Sequence, residues 1–309
     1  MTLLPKAFAL RKEFIDLVPM DPLPSGPRCL LFDNGSLRPE STIALRGVAQ
    51  RLQAALGVEV KGVSLRHSDL IPPADVGGVP AQLLEPALGA WLAAGGGRVV
   101  VLPLFFGPSA ALVVHLPQRL ERLCRKHPGM DVRLGRWLVD PSATGDVRIA
   151  SMLADRVRAV IADCALDHPQ VVMVDHGSPR REVIEVRDFL AGQLATVLGG
   201  SIGRLAGASM ERRPGADYDF CEPLLASVLR RPPFCHGPVV VAQQFFSPGR
   251  HAGPGGDVAA ICAAAENEQP RLRTYPTELL GADPRLVEVL ADRYRVALER
   301  EPRDGTSMG

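Results

Sequence analysis

The sequence predicts an α/β fold of two tandem, similar doubly wound domains, each with a roughly four-stranded parallel sheet. The first observation is an internal repeat, because four short phrases recur in the same order at offsets of 137 to 142 residues. They are DNGS at 33–36 and DHGS at 175–178, LEP at 84–86 and CEP at 221–223, FFGP at 105–108 and FFSP at 245–248, and MLADRV at 152–157 and VLADRY at 289–294. The second observation is that apolar runs alternate with amphipathic stretches, as in a parallel sheet covered by helices on both faces. Together they indicate a duplicated α/β domain.

The elements follow in the same order in each half. The predicted strands are nearly continuous Val, Ile and Leu runs, as expected where both faces of a sheet are buried. They are RCLLFDNGS, VEVKGVSL, RVVVLPLFF and MDVRLGRWLV in the first half, and PQVVMVDHGS, SIGRLAGASM, GPVVVAQQFF and PRLRTYPTEL in the second. The stretches between them, such as ESTIALRGVAQRLQAAL and EPLLASVLRR, carry apolar residues at helical spacing. The repeat divides the chain into an extension (1–26), two domains (27–166 and 167–300) and a tail (301–309).

The composition excludes several classes of function. The 309 residues, 46% of them hydrophobic, suffice for two cores. With 35 basic and 34 acidic side chains, the formal net charge is +1, so no overall basic field draws nucleic acid or a membrane surface. The six scattered cysteines form no C-x-x-C pair, and no apolar run resembles a signal peptide or a transmembrane helix. We expect a cytoplasmic protein that binds neither nucleic acid nor a membrane.

Three chemically distinctive residues follow successive strands of the second half. His176 follows VVMVD, Glu211 follows GRLAGASM, and His251 lies a few residues beyond VVVAQQFF. Ligands of open parallel sheets bind beyond the carboxyl ends of the strands, so the fold would bring these residues to one rim. The aligned positions of the first half hold Asn34, Arg66 and Ala111. Their joint presence in one copy and joint absence from the other indicate a functional set.

Two imidazoles and a carboxylate suit two kinds of chemistry. As an N₂O ligand set they favour divalent first-row metals over Mg²⁺ or Ca²⁺. They can also accept protons near neutral pH. The set therefore suits holding a metal, removing protons from an acceptor, or both in turn.

The residues around this set resemble a known family. The DHGS turn, the Met-Glu after the second strand, the F-x-x-G-x-H after the third and the LLGADP…LADR terminus are similar to the CbiX/SirB class II chelatases, which insert Co²⁺ or Fe²⁺ into sirohydrochlorin. The likeness covers roughly residues 28–300, as in fused two-domain members. It implies the class II chelatase fold, with a degenerate domain at 27–166, a catalytic domain at 167–300 and an active cleft between them.

The resemblance also implies roles. His176, Glu211 and His251 would be the catalytic residues and the metal ligands, with the histidines in metal delivery and pyrrole deprotonation. The substrates would be a small-molecule tetrapyrrole and a divalent metal (Co²⁺, Fe²⁺ or Ni²⁺), with no organic cofactor. A fused duplicate would act as a monomer, a pseudo-dimer of its two halves.

Cationic side chains flank the three candidates. Sirohydrochlorin carries eight carboxylates, and arginine can pair with a carboxylate through two parallel hydrogen bonds. The predicted substrate-binding residues are Ser178, Arg180, Arg181, Arg212, Arg213 and Arg250. Ser178 opens a helix and would offer backbone N–H groups to an anion, although plain turn geometry explains it equally well.

Some alternatives stay open at this point. The third strand of the second half reads AQQFF where the first half keeps PLFF, and extra residues follow Glu211 (RRPGADYDF) and His251 (AGPGG). The complete set lies in the second half, as in protoporphyrin ferrochelatases of the same fold. The alternatives are a chelatase for another macrocycle (a porphyrin ferrochelatase or a nickel chelatase) and a noncatalytic tetrapyrrole or metal carrier.

Overall fold

The structure, a computed structural model, describes residues 26–94, 97–128 and 131–299. The N-terminal extension predicted at 1–26 lies outside these residues except for Gly26, and the tail predicted at 301–309 lies wholly outside them.

The described residues form two four-stranded sheets in which all strands are parallel. The first sheet has the order β2-β1-β3-β4 and the second β6-β5-β7-β8. The strands are β1 (Arg28–Asp33), β2 (Val60–Ser64), β3 (Val99–Pro103), β4 (Val132–Leu134), β5 (Gln170–Asp175), β6 (Leu205–Ser209), β7 (Gly237–Gln243) and β8 (Leu272–Pro276). The register is the same in both sheets, since Asp33 pairs with Ser64 as Asp175 pairs with Ser209. The predicted α/β fold with two similar sheets is confirmed.

Helices connect the strands. They are α1 (Pro39–Leu56), α2 (Leu84–Ala93), α3 (Leu116–Lys126), α4 (Arg148–Asp163), α5 (Arg181–Leu198), α6 (Leu225–Val228), α7 (Asp257–Glu268) and α8 (Arg285–Glu299). Helix α6 is much shorter than the stretch EPLLASVLRR predicted, because prolines at 223, 232 and 233 bound it and proline cannot continue a helix. Within the described part of the chain, no helix has both the length and the apolar character that a membrane crossing requires.

The apolar side chains divide into three layers. Successive strand residues point to opposite faces, so Leu31 faces inward and Leu30 outward. The inward side chains of both sheets join α1, α4, α5 and α8 in one central core. Outer layers, formed with α2 and α3 on the first sheet and with α6 and α7 on the second, complete the packing.

The last helix of each half packs on the sheet of the other half. Helix α4 lies against β7 and α5, and helix α8 lies against β3, β4 and α1. In α8, Arg293 donates to the carbonyl oxygen of Leu138 at 2.7 Å, and the Leu298 carbonyl accepts a hydrogen bond from Arg133. The repeat boundary near residue 167 therefore separates the two sheets but not their covering helices. The exchange is possible because a 13-residue segment, 135–147, joins β4 to α4.

The two halves also meet at the loops that follow the third strand of each sheet. Phe106 and Phe246 stack face to face, with ring centroids 4.0 Å apart and an interplanar angle of 8°. Nearby, the hydroxyl oxygens of Ser41 and Ser247 are 3.2 Å apart. These contacts place the loop after β7 beside the first turn of α1.

Candidate active site

The site starts from the turn that follows β5. The Gly177 amide donates to Oδ1 of Asp175 at 3.0 Å, and Gly177 has a φ of +87°. A Cβ at Gly177 would overlap the carbonyl oxygen of Glu211, so both the conformation and the close approach require glycine. The Glu211 amide donates to the carbonyl of His176 at 3.3 Å. The turn thus fixes the backbones of His176 and Glu211 against each other.

His176, Glu211 and His251 meet at the carboxyl edge of the second sheet. They follow β5, β6 and β7, which are neighbours in that sheet. Nε2 of His176 lies 3.2 Å from Nε2 of His251 and 3.4 Å from Oε1 of Glu211. The imidazole rings lie edge to face, with centroids 4.5 Å apart. Three residues far apart in sequence are therefore brought within contact distance.

Hydrogen bonds on the far side of each imidazole define its tautomer. Nδ1 of His251 lies 2.7 Å from Oδ2 of Asp257, and Nδ1 of His176 lies 3.0 Å from the Gly177 carbonyl oxygen. Both partners are acceptors, so each Nδ1 carries the hydrogen and each Nε2 presents a lone pair. The two Nε2 atoms lie 3.2 Å apart, and a cation bound to both would stabilise this close approach of two lone-pair donors.

The spacing of these atoms suits one metal ion. Two ligand atoms that each lie about 2.1 Å from an ion are about 3.2 Å apart when they subtend roughly 100°. The separation of the two Nε2 atoms is 3.2 Å, and Oε1 of Glu211 lies 3.4 Å from Nε2 of His176. Within residues 26–94, 97–128 and 131–299, however, no three or more His, Cys, Asp or Glu side chains are grouped to hold a metal. Joint ligation by His176, Glu211 and His251 stays a prediction.

A buried arginine forms hydrogen bonds with backbone and side-chain groups next to the site. Arg187 of α5 is 1% exposed and donates to Oγ of Ser209 and to the Cys221 carbonyl, each at 2.8 Å, and to the Glu222 carbonyl at 3.3 Å. Burial raises the pKa of the Asp175 carboxyl to about 6, although the nearby guanidinium acts in the opposite direction. Arg187 therefore joins the end of β6 to the segment that leads into α6.

Three of the predicted substrate-binding residues lie at the start of α5. Ser178 Oγ accepts a hydrogen bond from the Arg180 amide at 3.2 Å, the turn role considered for it from the sequence. The Arg180 guanidinium lies 2.6 Å from a Glu182 carboxylate oxygen. Arg181 is exposed and lies over the ring of Phe220, 4.7 Å from its centroid.

The other three differ in how far protein groups satisfy their charge. Arg212 pairs with Asp219 and Glu222, each at 3.0 Å, and so fastens the extra residues after Glu211. Arg213 is exposed above Tyr218, and Arg250 is 80% exposed at 3.8 Å from Asp257. Arg213 and Arg250 therefore keep more of their hydrogen-bonding capacity for a ligand than Arg212 does.

The glutamines of the AQQFF phrase are buried. The Gln243 side chain donates to the carbonyl of Thr277 at 2.6 Å, and the Gln243 amide donates to the Thr277 hydroxyl at 3.1 Å. The first glutamine thus ties the end of β7 to the segment after β8. Gln244 is 5% exposed, and its Oε1 has no hydrogen-bond partner among the described residues.

The first half repeats the turn with different side chains. Gly35 has a φ of +88°, its amide donates to Asp33 at 3.0 Å, and a Cβ there would overlap the Arg66 carbonyl oxygen. At the positions aligned with His176 and Glu211, the Arg66 guanidinium donates to Oδ1 of Asn34 at 3.0 and 3.3 Å. Ala111, aligned with His251, offers no ligand atom.

Sequence reasoning missed Asp257 and Arg187. Asp257 looks like an ordinary acidic residue in the first turn of a helix, and only its spacing of six from His251 hints at the contact. Arg187 lies on the apolar stripe of the helix, between Ile184 and Ala191, where the repeat has Leu45. A lone cation on an apolar face was the available signal.

The described fold is similar to that of solved sirohydrochlorin chelatases. Solved structures with this fold include SirB from Bacillus subtilis with Fe³⁺, which has a TM-score of 0.62 and 14% identity over 88% of this chain and 96% of that one. The sirohydrochlorin chelatase SirB from B. subtilis subspecies spizizenii in complex with cobalt gives the same TM-score and identity, over 88% and 95%. CbiX, described as the terminal enzyme for biosynthesis of siroheme in denitrifying bacteria, has a TM-score of 0.55 and 15% identity over 89% and 100%. No protein-family model matches the chain, and no curated protein does. At these identities the likeness establishes the fold.

Proposed function

We propose that this protein is a chelatase that inserts Co²⁺ or Fe²⁺ into sirohydrochlorin. The observation that carries the proposal is the facing pair of Nε2 atoms, 3.2 Å apart, on His176 and His251. It lies at the carboxyl edge of a sheet whose fold is shared with SirB and CbiX. Metal insertion needs groups that bind the ion and groups that accept pyrrole protons, and two imidazoles beside a carboxylate can do both.

The reaction replaces two pyrrole hydrogens by one metal ion. The metal, a substrate, must shed water, and the macrocycle must present its nitrogen lone pairs. The Nε2 lone pairs of His176 and His251 receive the ion or a pyrrole proton, and the Glu211 carboxylate balances the positive charge. Asp257 holds the tautomer of His251 in which Nε2 is free, so it acts as a positioning residue. Fixed geometry and proton transfer together lower the barrier.

Sirohydrochlorin is favoured by the local charge. Arg181, Arg213 and Arg250 are exposed, follow or precede the three candidates closely in the sequence, and suit carboxylate side chains of the macrocycle. Ser178, Arg180 and Arg212 belong to the same proposed set, with protein partners that substrate carboxylates would have to share. The donor set accepts several first-row ions, so cellular supply decides among Co²⁺, Fe²⁺ and Ni²⁺.

The architecture supports a single working chain. Residues 167–300 supply the catalytic edge, and residues 27–166 supply the degenerate domain that completes the cleft. We propose that the protein acts as a monomer in the cytoplasm, without an organic cofactor and without nucleic acid or membrane as partner.

The test is anaerobic absorption spectroscopy with sirohydrochlorin and each of Co²⁺, Fe²⁺ and Ni²⁺. Insertion faster than the uncatalysed reaction, and lost in His176→Ala, is expected. Tight binding of macrocycle and metal without acceleration would assign the protein to the carriers instead. If insertion is accelerated only with a porphyrin, the proposed substrate is wrong and the proposed reaction, metal insertion, is retained.

A further inference from the structure

The first half preserves the backbone of the site while reversing its charge. Gly35 and Gly177 have φ of +88° and +87°, and each amide donates to the preceding aspartate at 3.0 Å. In this shared frame, the imidazole and carboxylate of the second half are replaced by an amide and a guanidinium, those of Asn34 and Arg66. Where the second half has the proposed cation site, the first half therefore has a pair of residues that presents positive charge.

The guanidinium of Arg66 is oriented without being neutralised. Its Nε and one terminal nitrogen donate to Oδ1 of Asn34, at 3.3 and 3.0 Å, and both side chains are exposed. Among the described residues, no carboxylate oxygen lies within 4.0 Å of an Arg66 nitrogen. Arg212, in contrast, pairs with both Asp219 and Glu222. Arg66 therefore keeps its charge and its remaining N–H donors for an anion.

This group lies beside the loop that carries His251. The Ser36 hydroxyl is 3.9 Å from the position of a Cβ on Gly249. Ser36 is two residues from Asn34, and Gly249 is two residues from His251. Standard chain dimensions then limit the Cα atoms of Asn34 and His251 to a separation of about 22 Å. A ligand at the histidine pair with carboxylates on its periphery is within reach of such a group.

We propose that Asn34 and Arg66 form a carboxylate-binding site that holds a peripheral carboxylate of the macrocycle. The inference rests on the proposed function and adds a role for the degenerate half. The guanidinium forms two parallel hydrogen bonds with the carboxylate, and the amide of Asn34 keeps its plane in place. The half that lost the metal chemistry binds the substrate, and the other half transforms it.

The experiment is an equilibrium titration of metal-free sirohydrochlorin into the full chain, followed by absorbance. Arg66→Ala should raise the dissociation constant about tenfold, the lower end for a charge-assisted contact at an exposed site. Arg66→Glu should raise it further, since a carboxylate then faces a carboxylate. The control Arg125→Ala removes an arginine of α3 that is 72% exposed and paired with Glu121, and should leave binding unchanged.

The dependence of binding affinity on ionic strength distinguishes a charge contact from a purely structural role of Arg66. Binding by the parent protein should weaken with ionic strength more steeply than binding by Arg66→Ala, because the variant has lost one charge contact. Unchanged affinity in both Arg66 variants, or equal salt slopes, overturns the inference even if the parent protein inserts metal. No binding of sirohydrochlorin by the parent protein overturns both the inference and the proposed function. Binding without insertion contradicts only the proposed reaction.

Discussion

Oδ2 of Asp257 lies 2.7 Å from Nδ1 of His251, so the carboxylate at the start of α7 holds the imidazole whose other nitrogen faces His176. The contact joins a helix terminus on the outer side of the second sheet to the candidate reaction centre. It gives His251 one orientation and one tautomer before any substrate arrives.

Asp257→Asn should therefore lower kcat/KM for metal insertion by about 10- to 100-fold, the range usual for a partner of a ligating histidine. The expected cause is loss of the fixed tautomer, so the circular dichroism spectrum should be unchanged. Glu268→Gln, at the other end of α7 in an exposed pair with Arg230, is the matched control and should keep full activity. Equal activity of Asp257→Asn and the parent protein would rule out the positioning role.

His176→Ala should reduce the rate of insertion by at least about 100-fold, because the proposed function makes His176 a proton acceptor and a metal ligand. The control is His236→Ala, since His236 is exposed just before β7, at the opposite edge of the same sheet. Single-turnover absorbance measurements under anaerobic conditions follow the metal-bound product. Comparable losses in the two variants would contradict the assignment of the site.

Gly177→Ala should destabilise the protein by about 2–4 kcal/mol, because the new methyl group meets the Glu211 carbonyl at a positive φ. Gly35→Ala should behave alike in the first half. Gly192→Ala, within α5 and with no atom near its Cβ position, should instead stabilise by up to about 1 kcal/mol. Urea unfolding compares the three variants, and a neutral Gly177→Ala would show that the turn relaxes.

The partly buried carboxyl of Asp33 should make the free energy of unfolding fall as the pH rises from about 4 to about 6. Burial raises the pKa of Asp33 from 3.8 to about 6. In that window the folded protein holds a proton that the unfolded chain releases, so the folded state loses up to about 3 kcal/mol as the pH increases. Asp33→Asn keeps an acceptor for the Gly35 amide and lacks the titration.

The free energy of unfolding of Asp33→Asn, relative to the parent protein, should therefore increase between pH 4 and pH 7. Asp140→Asn supplies a control of opposite sign. Hydrogen bonds from the hydroxyl and amide of Ser142 hold the pKa of Asp140 below its usual value, so its contribution is present near neutral pH and lost in acid. If the difference in free energy of unfolding between Asp33→Asn and the parent protein does not vary with pH, the raised pKa of Asp33 is refuted.

The sheets and the meeting of the three side chains were predictable from the sequence. Strands such as VVMVD are continuous apolar runs, and parallel strands place their carboxyl ends at one edge, so His176 and Glu211 were expected at the same edge of the sheet. The contact of His251 depended on the same rule and on the path of the loop after β7, in which His251 is the eighth residue. The structure brings these residues together, while their roles stay predictions.

Other features depend on tertiary contacts that leave little trace in local sequence. Asp257 has an ordinary helix-start pattern, and its partnership with His251 follows from how the loop 251–256 folds back. Gln243 looks like a departure from the apolar PLFF phrase, but its side chain donates a hydrogen bond to the backbone carbonyl of Thr277. The sequence also does not indicate which sheet α4 and α8 pack on, because an apolar helix face fits either sheet.

The exchange of α4 and α8 sets the order in which the molecule can be completed during synthesis. The inner face of the first sheet stays uncovered until residues 285–299 have been synthesised, so the first half of a nascent chain cannot complete its core before the second half has emerged. A gene cut between codons 166 and 167 would yield two fragments, each with a bare sheet face and a surplus helix. If the two fragments were produced together, they would have to associate in order to fold.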